Sequence, residues 1–501
     1  MSAESPSNAP STLNMPKEND IENPEELTKE VSNMFNEKRL EDLKKTFLLY
    51  KSFPKATELI SKCFRLYINK RFDDIIKNQD IVEDPIKLIP QLINLKKELD
   101  NLTEECFGNE MIFKDANRAT LCQCMSDPIY ANQLSDYIDF CMKKGFEGKS
   151  QEEIDNTLND IVSLFMGLNS KLHFSFRLKY RMTQRLIRNK TLSINTEKIF
   201  IDKLKQEAGK KFVDSLIDMI NDFEANKKDT DAYSLSPSKG APNGINFNVQ
   251  VLQVGLWGIK YDYCVENFQM PKYMETCLED FENYYLGIHK ERMLRWILPE
   301  SRLVIQYLYL KEKNTSVSTL PQYLTLLLLE KHGSLTIEKI AELLGCKIST
   351  VLYDINGLAF NFSFNPDGRP DNGVIIGSFK DKNFTKNDTI EINANFKVEL
   401  QQFKTLPIPV EIEKNKGEKE EKEIKRFQNN YLQAKIVRIL KSRIGQLTTH
   451  DYLINEVTKT TDLFEPQPQQ IKENIELLIE KNAIKREKDK CYTYVPEINL
   501  I

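Results

Sequence analysis

Apolar residues recur at steps of three and four from about Leu43 to Phe223, as in the run from Leu49 to Leu59. This spacing places the apolar side chains on one face of a helix, so the segment is predicted to be a bundle of amphipathic helices. Breaks are predicted at Asp84-Pro85 and Asp127-Pro128, because the residue before proline is pushed out of helical conformation, and at the glycine-containing stretch 144–148.

The pattern changes after a polar segment, 225–244, whose Ser, Pro, Gly and Asp content predicts a loop. Residues 245–255 alternate between polar and apolar, which is typical of a strand, and Arg302–Leu310 is a second candidate strand rich in branched and aromatic residues. Residues 335–345 and 348–360 then predict a helix pair of the winged-helix type. This part of the chain is therefore predicted to be mixed α/β.

The last 75 residues or so have the outline of a winged helix, three helices followed by a terminal hairpin. The predicted helices are 427–443, 448–459 and 468–482, and the strands lie around 484–485 and 492–494. The preceding residues, 411–426, mix acidic and basic side chains at helical spacing, which predicts an exposed linker or an exposed helix.

The overall composition is that of an ordinary globular protein with several domains: 501 residues, 40% hydrophobic, 29% charged and a formal net charge of -4. Nine scattered cysteines favour a reducing compartment, the cytoplasm or the nucleus, over a disulfide framework. The chain has no run of eighteen apolar residues that would predict a membrane span. Residues 1–25 read as a disordered tail.

Enzyme and metal motifs are weak. Gly148-Lys149-Ser150 has the ending of a phosphate-binding loop, but Lys143 stands where the first glycine belongs, so a helix connection is the better interpretation. Cys122 and Cys124 are separated by one residue, and with four histidines in the chain they suggest core thiols rather than a zinc set. We therefore predict no catalytic residue, no metal and no cofactor.

A winged helix can bind DNA, and four basic residues of the C-terminal region could be proposed as a phosphate patch: Lys435, Arg438, Lys441 and Arg443. The predicted recognition helix, PQQIKENIELLIEKN, carries three glutamates against two lysines, so it offers a phosphate backbone no net attraction. Nucleic-acid binding is therefore the weaker alternative.

The run IVRILKSR at 436–443, followed by LTTHDYLINEV and by IKENIELLIEKNAIKRE and CYTYV, closely resembles the C-terminal domain of cullins. Upstream, residues 178–209, 251–257 and 284–296 resemble further cullin landmarks, including the Ile-x-Lys-Leu-Lys motif and Trp296. The chain departs from the family pattern at several positions, such as Gly258, where cullins usually have proline. It is also shorter, as if it began near the third N-terminal repeat.

The resemblance implies a mainly α protein: a helical cullin-repeat bundle, followed by an α/β cullin-homology region and C-terminal winged helices. The corresponding domains are a cullin-repeat region at 26–150, a region like a four-helix bundle at 151–245, the α/β region with its winged-helix pair at 246–410, the charged linker at 411–426, and the C-terminal winged-helix (neddylation) domain at 427–501.

In function, the resemblance implies a non-catalytic scaffold of a cullin-RING ubiquitin ligase. Its α/β region would bind a RING-box protein, which would add a strand to a sheet including residues 245–255 and 290–310, and which would in turn dock a ubiquitin-conjugating enzyme. Lys441 would receive a ubiquitin-like modifier through an isopeptide bond. Its position on the helical wheel, away from the face of Leu432, Ile436, Ile439, Leu440 and Ile444, predicts an exposed amine.

A weaker implication is a basic patch for an acidic tail of the conjugating enzyme, with Lys143, Lys144, Lys380, Lys382 and Lys386 as candidates. The N-terminal repeats that the resemblance does not cover are where cullins bind adaptors, so the sequence leaves open whether an adaptor binds. A cullin-homology subunit of the large cell-cycle ubiquitin ligase is the other alternative, and the acceptor-lysine pattern argues against it. Neither nucleic acid nor membrane is an expected partner, and cytoplasm and nucleus are the expected locations.

Overall fold

The structure is a computed structural model that describes residues 24–235, 246–257, 269–298, 301–310, 314–361, 363–407, 412–461, 463–487 and 491–495, without the side chains of 235 and 412–420. Two compact units make up the chain, residues 1–220 with 420–501 and residues 221–419. Almost all of the predicted tail at 1–25 lies outside the described residues.

Consecutive helices fill residues 24–235, and those from Leu43 to Phe223 are the bundle that the apolar spacing predicts. They are α1 (Pro24–Asn36), α2 (Leu40–Tyr50), α3 (Pro54–Ile76), α4 (Gln79–Val82), α5 (Pro85–Phe107), α6 (Met111–Cys124), α7 (Pro128–Phe140), α8 (Gln151–Met166), α9 (Lys171–Ile187), α10 (Ile194–Ala208) and α11 (Lys210–Leu235). Aromatic side chains such as Phe64, Phe107 and Phe113 fill the core of the first helices, with the last two stacked 3.8 Å apart. No helix in the described residues is long and apolar enough to cross a membrane.

The predicted breaks are helix starts with local caps. Asp84 and Asp127 each accept a hydrogen bond from the backbone N–H two residues on, and the proline that follows each of them opens the helix. Ser150 forms a capping box with Glu153 at the start of α8, so Gly148-Lys149-Ser150 is a helix connection, as expected. A π-helical turn, Cys141–Gly145, joins it to α7.

A buried ionic cluster ties α7 to α9 and α10. The fully buried Arg185 donates to Asp139 at 2.9 Å and to both oxygens of Glu197 at 2.9 Å. One turn away, Asp136 accepts paired hydrogen bonds from Arg177 and Arg181. Because buried charges are tolerated only when they are paired, these contacts fix how the three helices pack.

The second unit contains α12 (Lys272–Ile288) and a winged helix with an added sheet. Its further elements are β1 (Arg302–Gln306), β2 (Thr315–Thr319), α13 (Leu320–His332), β3 (Leu335–Thr336), α14 (Ile337–Leu344), α15 (Ile348–Phe360), β4 (Ile375–Gly377), β5 (Thr389–Ile392) and β6 (Gln402–Lys404). One sheet has the order β1-β2-β6 and the other β3-β5-β4. The predicted winged-helix pair is confirmed by α14 and α15.

Two predictions about this region are wrong. Residues 225–235 of the predicted loop continue α11, because Tyr233 is buried against Phe281 and Tyr285 of α12; residues 236–245 lie outside the described part. Residues 246–253 form no strand. Their alternation has another cause, since Phe247, Val249 and Val251 pack on the cluster around those helices while the backbone belongs to none of the three sheets.

The C-terminal winged helix follows the predicted outline. It consists of α16 (Ile412–Ser442), β7 (Thr448–Thr449), α17 (His450–Thr460), α18 (Pro468–Glu480), β8 (Ile484–Arg486) and β9 (Cys491–Tyr494), with the sheet order β7-β9-β8. The charged segment before it is helical from residue 412 onward and continuous with the first helix of this module. Of the two interpretations of that segment, helix is therefore the one the structure shows.

Candidate modification site

The last two turns of α16 place one lysine at the surface of the C-terminal module. Leu432, Ile436 and Leu440 are at most 1% exposed and face the core, whereas Lys441 lies one residue further round the helix and is exposed. The prediction for Ile444 is wrong: its side chain is 65% exposed, because α16 ends at Ser442 and the chain turns away from the helix.

The helix end is anchored by the rest of the module. Ile471 and Ile475 of α18 and Ile484 of β8 are at most 1% exposed and share a core with the apolar face of α16. Burying side chains of this size is worth about 1.5–3 kcal/mol each. The position of Lys441 is therefore set by the packing of α16 against α18 and the sheet.

Lys441 has a specific neighbour on the last strand. Its Nζ lies 5.0 Å from the ring centre of Tyr494, within the range of a cation–π contact. The backbone of Tyr494 is held by pairing with Ile484 in the β8–β9 ladder, and the N–H of the next residue, Val495, donates to the carbonyl of Ala483 at 3.2 Å. No ion pair involving Lys441 is formed within the described residues.

Other basic groups of the module also lie near aromatic rings, but they have further contacts or different neighbours. The Nζ of Lys435 is 5.3 Å from the ring centre of Tyr431 and also donates to the carbonyl oxygen of Thr460 at 2.7 Å, which holds the amine against α17. The guanidinium of Arg443 lies 4.4 Å from the ring centre of Tyr452, and its buried Nε has no hydrogen-bond partner in the described structure. The four basic residues considered as a phosphate patch thus do not share one environment.

Tyr494 was not among the residues predicted for the site. The sequence did contain a signal, the closing Tyr-x-Tyr strand at 492–494, but periodicity could not say which tyrosine faces the lysine. The structure separates them: Tyr492 is 3% exposed and its hydroxyl lies 3.1 Å from His450 Nδ1, whereas the ring of Tyr494 is half-buried and lies under Lys441.

The five lysines proposed for an acidic tail belong to two regions. Lys143, in the π-helical turn of the first unit, donates to Asp139 at 2.5 Å, and its neighbour Lys144 is exposed. Lys380, Lys382 and Lys386 lie together in the second unit, on the wing that joins β4 to β5, where Lys386 forms an ion pair of 3.1 Å with Glu338. The pairs with Asp139 and Glu338 reduce the positive charge that two of the five can offer a ligand.

Several apolar side chains in the second unit are exposed. The strand β1 forms the edge of its sheet, and Val304 at its centre is 66% exposed. Leu308, just beyond the strand, is 89% exposed, and Met293, in the segment that follows α12, is 84% exposed. Of the residues 290–310 that were predicted to belong to the RING-box sheet, only β1 is a strand in the described structure.

The described Cys, His, Asp and Glu side chains form no candidate metal centre, and several of the thiols are buried. No group of three or more His, Cys, Asp or Glu residues in this part of the chain could hold a metal ion. Burial raises the pKa of the Cys106, Cys124 and Cys141 thiols to about 11, which keeps them protonated near neutral pH. Burial also lowers the pKa of His173.

The known family models match three successive parts of the chain. Residues 17–230 match the cullin alpha solenoid domain, residues 251–396 the cullin alpha+beta domain, and residues 428–490 the cullin protein neddylation domain. The chain belongs to the cullin family. The neddylation-domain match includes Lys441 and ends before Tyr494.

Sequence similarity to cullins of other organisms extends over almost the whole chain. A cullin-3 of Dictyostelium discoideum is 26% identical over 500 residues, covering 92% of this chain and 63% of the relative. A cullin-4A of Mus musculus is 26% identical and a cullin-3B of Arabidopsis thaliana 24% identical, each covering over 90% of this chain. The chain spans about 60% of the length of these relatives.

Proposed function

We propose that this cullin is the non-catalytic scaffold of a cullin-RING ubiquitin ligase and that it accepts a ubiquitin-like modifier on Lys441. The observation that carries the proposal is the exposed amine of Lys441 at the end of α16, inside the segment that matches the neddylation domain. A cullin-homology subunit without an acceptor lysine, the alternative considered above, is disfavoured by the same match.

The chemistry requires little from the chain itself. The neutral amine of Lys441 attacks the thioester carbonyl carbon of the loaded conjugating enzyme, a C–N bond forms and the C–S bond breaks. The conjugating enzyme leaves as its cysteine thiolate, and the proton lost from the amine passes to solvent. Holding acceptor and thioester on one rigid assembly supplies most of the acceleration, because it makes the reaction effectively unimolecular.

A RING-box protein is the proposed partner that brings the conjugating enzyme. The edge strand β1, with the exposed Val304, supports strand addition at this point, since main-chain pairing at a sheet edge is an established recognition mode. The exposed Leu308 and Met293 offer apolar side chains to the same partner. Val304→Asp should weaken co-purification with the RING-box protein, whereas Leu447→Asp, at an exposed position of the C-terminal module, should leave it unchanged.

Reconstitution tests the acceptor directly. The full-length chain is incubated with the modifier, its activating and conjugating enzymes and a RING-box protein. It is compared with Lys441→Arg and with the matched control Lys472→Arg, which lies on the exposed face of α18. Wild type and the control should give one slower-migrating band that Lys441→Arg lacks. A band of unchanged intensity in Lys441→Arg would place the acceptor elsewhere.

Cytoplasm and nucleus are the proposed locations, because the scattered cysteines suit a reducing compartment. Imaging of the tagged chain in its own cells tests this, and accumulation in a secretory compartment would contradict it.

A further inference from the structure

We infer that Tyr494 is a positioning residue for Lys441: its ring is a fixed platform that orients the acceptor amine before the modifier is transferred. The inference rests on the proposed function of Lys441. It starts from the 5.0 Å approach of Lys441 Nζ to the ring centre of Tyr494, between the last turn of α16 and the last strand of the same module.

The platform is more rigid than the side chain it supports. Tyr494 pairs with Ile484 across the β8–β9 ladder, Val495 N–H donates to Ala483, and the half-buried ring packs against the core of the module. An exposed lysine, in contrast, has four rotatable bonds and samples many rotamers. A contact with a fixed ring reduces that freedom before the conjugating enzyme arrives, so less ordering remains to be done during transfer.

The kind of contact matters as much as its place. Lys435, on the same helix, also lies over a ring, 5.3 Å from the centre of Tyr431, but it donates in addition a hydrogen bond of 2.7 Å to the carbonyl of Thr460, which fixes its amine to the backbone. The face of the Tyr494 ring attracts the protonated amine of Lys441. After deprotonation, the neutral amine can keep a weak N–H···π contact with the same ring, and this contact does not use the nitrogen lone pair. The nitrogen lone pair then remains available to the thioester carbonyl carbon.

The chain contains its own comparison at this position. In the winged helix of the second unit, Ile375 pairs with Ile392 as Ile484 pairs with Tyr494 in the C-terminal one. Isoleucine is therefore compatible with this place in the sheet. Tyr494→Ile removes the ring while keeping a strand-forming apolar residue, and Tyr494→Phe keeps the ring and removes only the hydroxyl.

The test is single-turnover transfer from the loaded conjugating enzyme to the full-length chain, at several concentrations of that enzyme. Tyr494→Ile should lower the maximal rate about two- to fivefold, the order expected when one rotamer-rich side chain has to be ordered during transfer, with half-saturation unchanged. Tyr494→Phe should transfer at the wild-type rate. An unchanged rate in Tyr494→Ile, an equal loss in Tyr494→Phe, or a change in half-saturation alone would overturn the inference.

A second measurement does not depend on transfer. The ε-carbon and ε-protons of Lys441, assigned by comparison with Lys441→Arg in lysine-labelled protein, should show a ring-current shift that persists in Tyr494→Phe and disappears in Tyr494→Ile. No difference between wild type and Tyr494→Ile would contradict the contact itself. The proposed function fails separately, if Lys441→Arg is still modified.

Discussion

The two winged helices of this chain share a strand plan and differ in what they present. In the second unit the sheet order is β3-β5-β4 and in the C-terminal module β7-β9-β8, so in both the last strand lies in the centre. The pairs Ile375–Ile392 and Ile484–Tyr494 occupy the same place in the two ladders. The first module has aliphatic side chains where the second has a tyrosine under an exposed lysine.

The first helices of the two winged helices, α13 and α16, differ in how they are buried. This difference explains why α13 is a core element and α16 carries the candidate site. In α13 the buried set Leu320, Leu324, Leu326 and Leu329 leaves little polar face. In α16 the buried positions form one stripe, and Lys441 follows it at the surface. A shared winged-helix topology therefore does not identify a functional site; the difference lies in which helix end is exposed and what stands beside it.

The largest effects are expected in the two cores. Ile355 of α15 and Ile475 of α18 are fully buried, each the eighth residue of its helix. Each change to alanine should cost about 2–5 kcal/mol of unfolding free energy. Because the C-terminal core is the smaller, Ile475→Ala should unfold that module and abolish modification, whereas Ile355→Ala should leave the environment of Lys441 native.

Thermal unfolding and the NMR signal of Lys441, measured in Ile355→Ala and in Ile475→Ala, would check these two expectations. A native Lys441 signal in Ile475→Ala, or its loss in Ile355→Ala, would contradict the separate dependence of the site on its own core.

A smaller loss of stability is expected from substitutions at a position where the strands β4 and β8 carry different residues. Gly377 lies so close to the neighbouring strand that an added Cβ would collide with the carbonyl oxygen of Thr389. Gly377→Ala should therefore cost about 1–3 kcal/mol. Its counterpart Arg486, whose ion pair with Glu476 is solvent-exposed, should lose no more than about 0.5 kcal/mol on change to alanine. Denaturant titration of both variants measures the difference, and equal losses would contradict it.

Charge reversal on the wing that joins β4 to β5 tests the prediction that its lysines attract the conjugating enzyme. Replacing Lys380, Lys382 and Lys386 by glutamate should reduce binding of the conjugating enzyme on the order of tenfold at low salt and less at high salt, because the attraction is screened. Reversing Lys472 in the C-terminal module is the control. Binding that ignores ionic strength in the wild type would contradict an electrostatic patch.

The smallest expected effect concerns nucleic acid. The exposed face of α18 carries Glu473, Glu476 and Glu480 beside Lys472, so neither DNA nor RNA should shift the protein in a gel at physiological salt. A stable shifted complex that charge reversal at Lys435 and Arg438 removed would support the nucleic-acid alternative instead.

Much of the fold could be predicted from periodicity, because helix starts carry local signals such as Asp84 before Pro85. Residues 246–253 show the limit of this reasoning. Their alternation correctly indicates that one side of the segment is buried, but a ladder also requires a neighbouring strand, which no local pattern encodes. The helical residues 225–235 were missed because long-range packing of Tyr233 overrides a polar, loop-like composition.

At the candidate site, the helical wheel placed Lys441 on the surface and wrongly placed Ile444 on the buried face. The wheel assumes that the helix continues, whereas α16 ends at Ser442. The contact with Tyr494 joins residues far apart in the chain, so it depends on the tertiary fold of the module and no sequence period contains it.

The most direct test of the central claim uses the protein at its native level of expression. The chain is isolated from its own cells, digested and mapped by mass spectrometry for the branched remnant of a ubiquitin-like modifier. We expect the remnant on Lys441 and, at matched coverage, none on Lys435 or Lys472. Full coverage of residue 441 without a remnant, or a remnant confined to another lysine, would contradict the assignment.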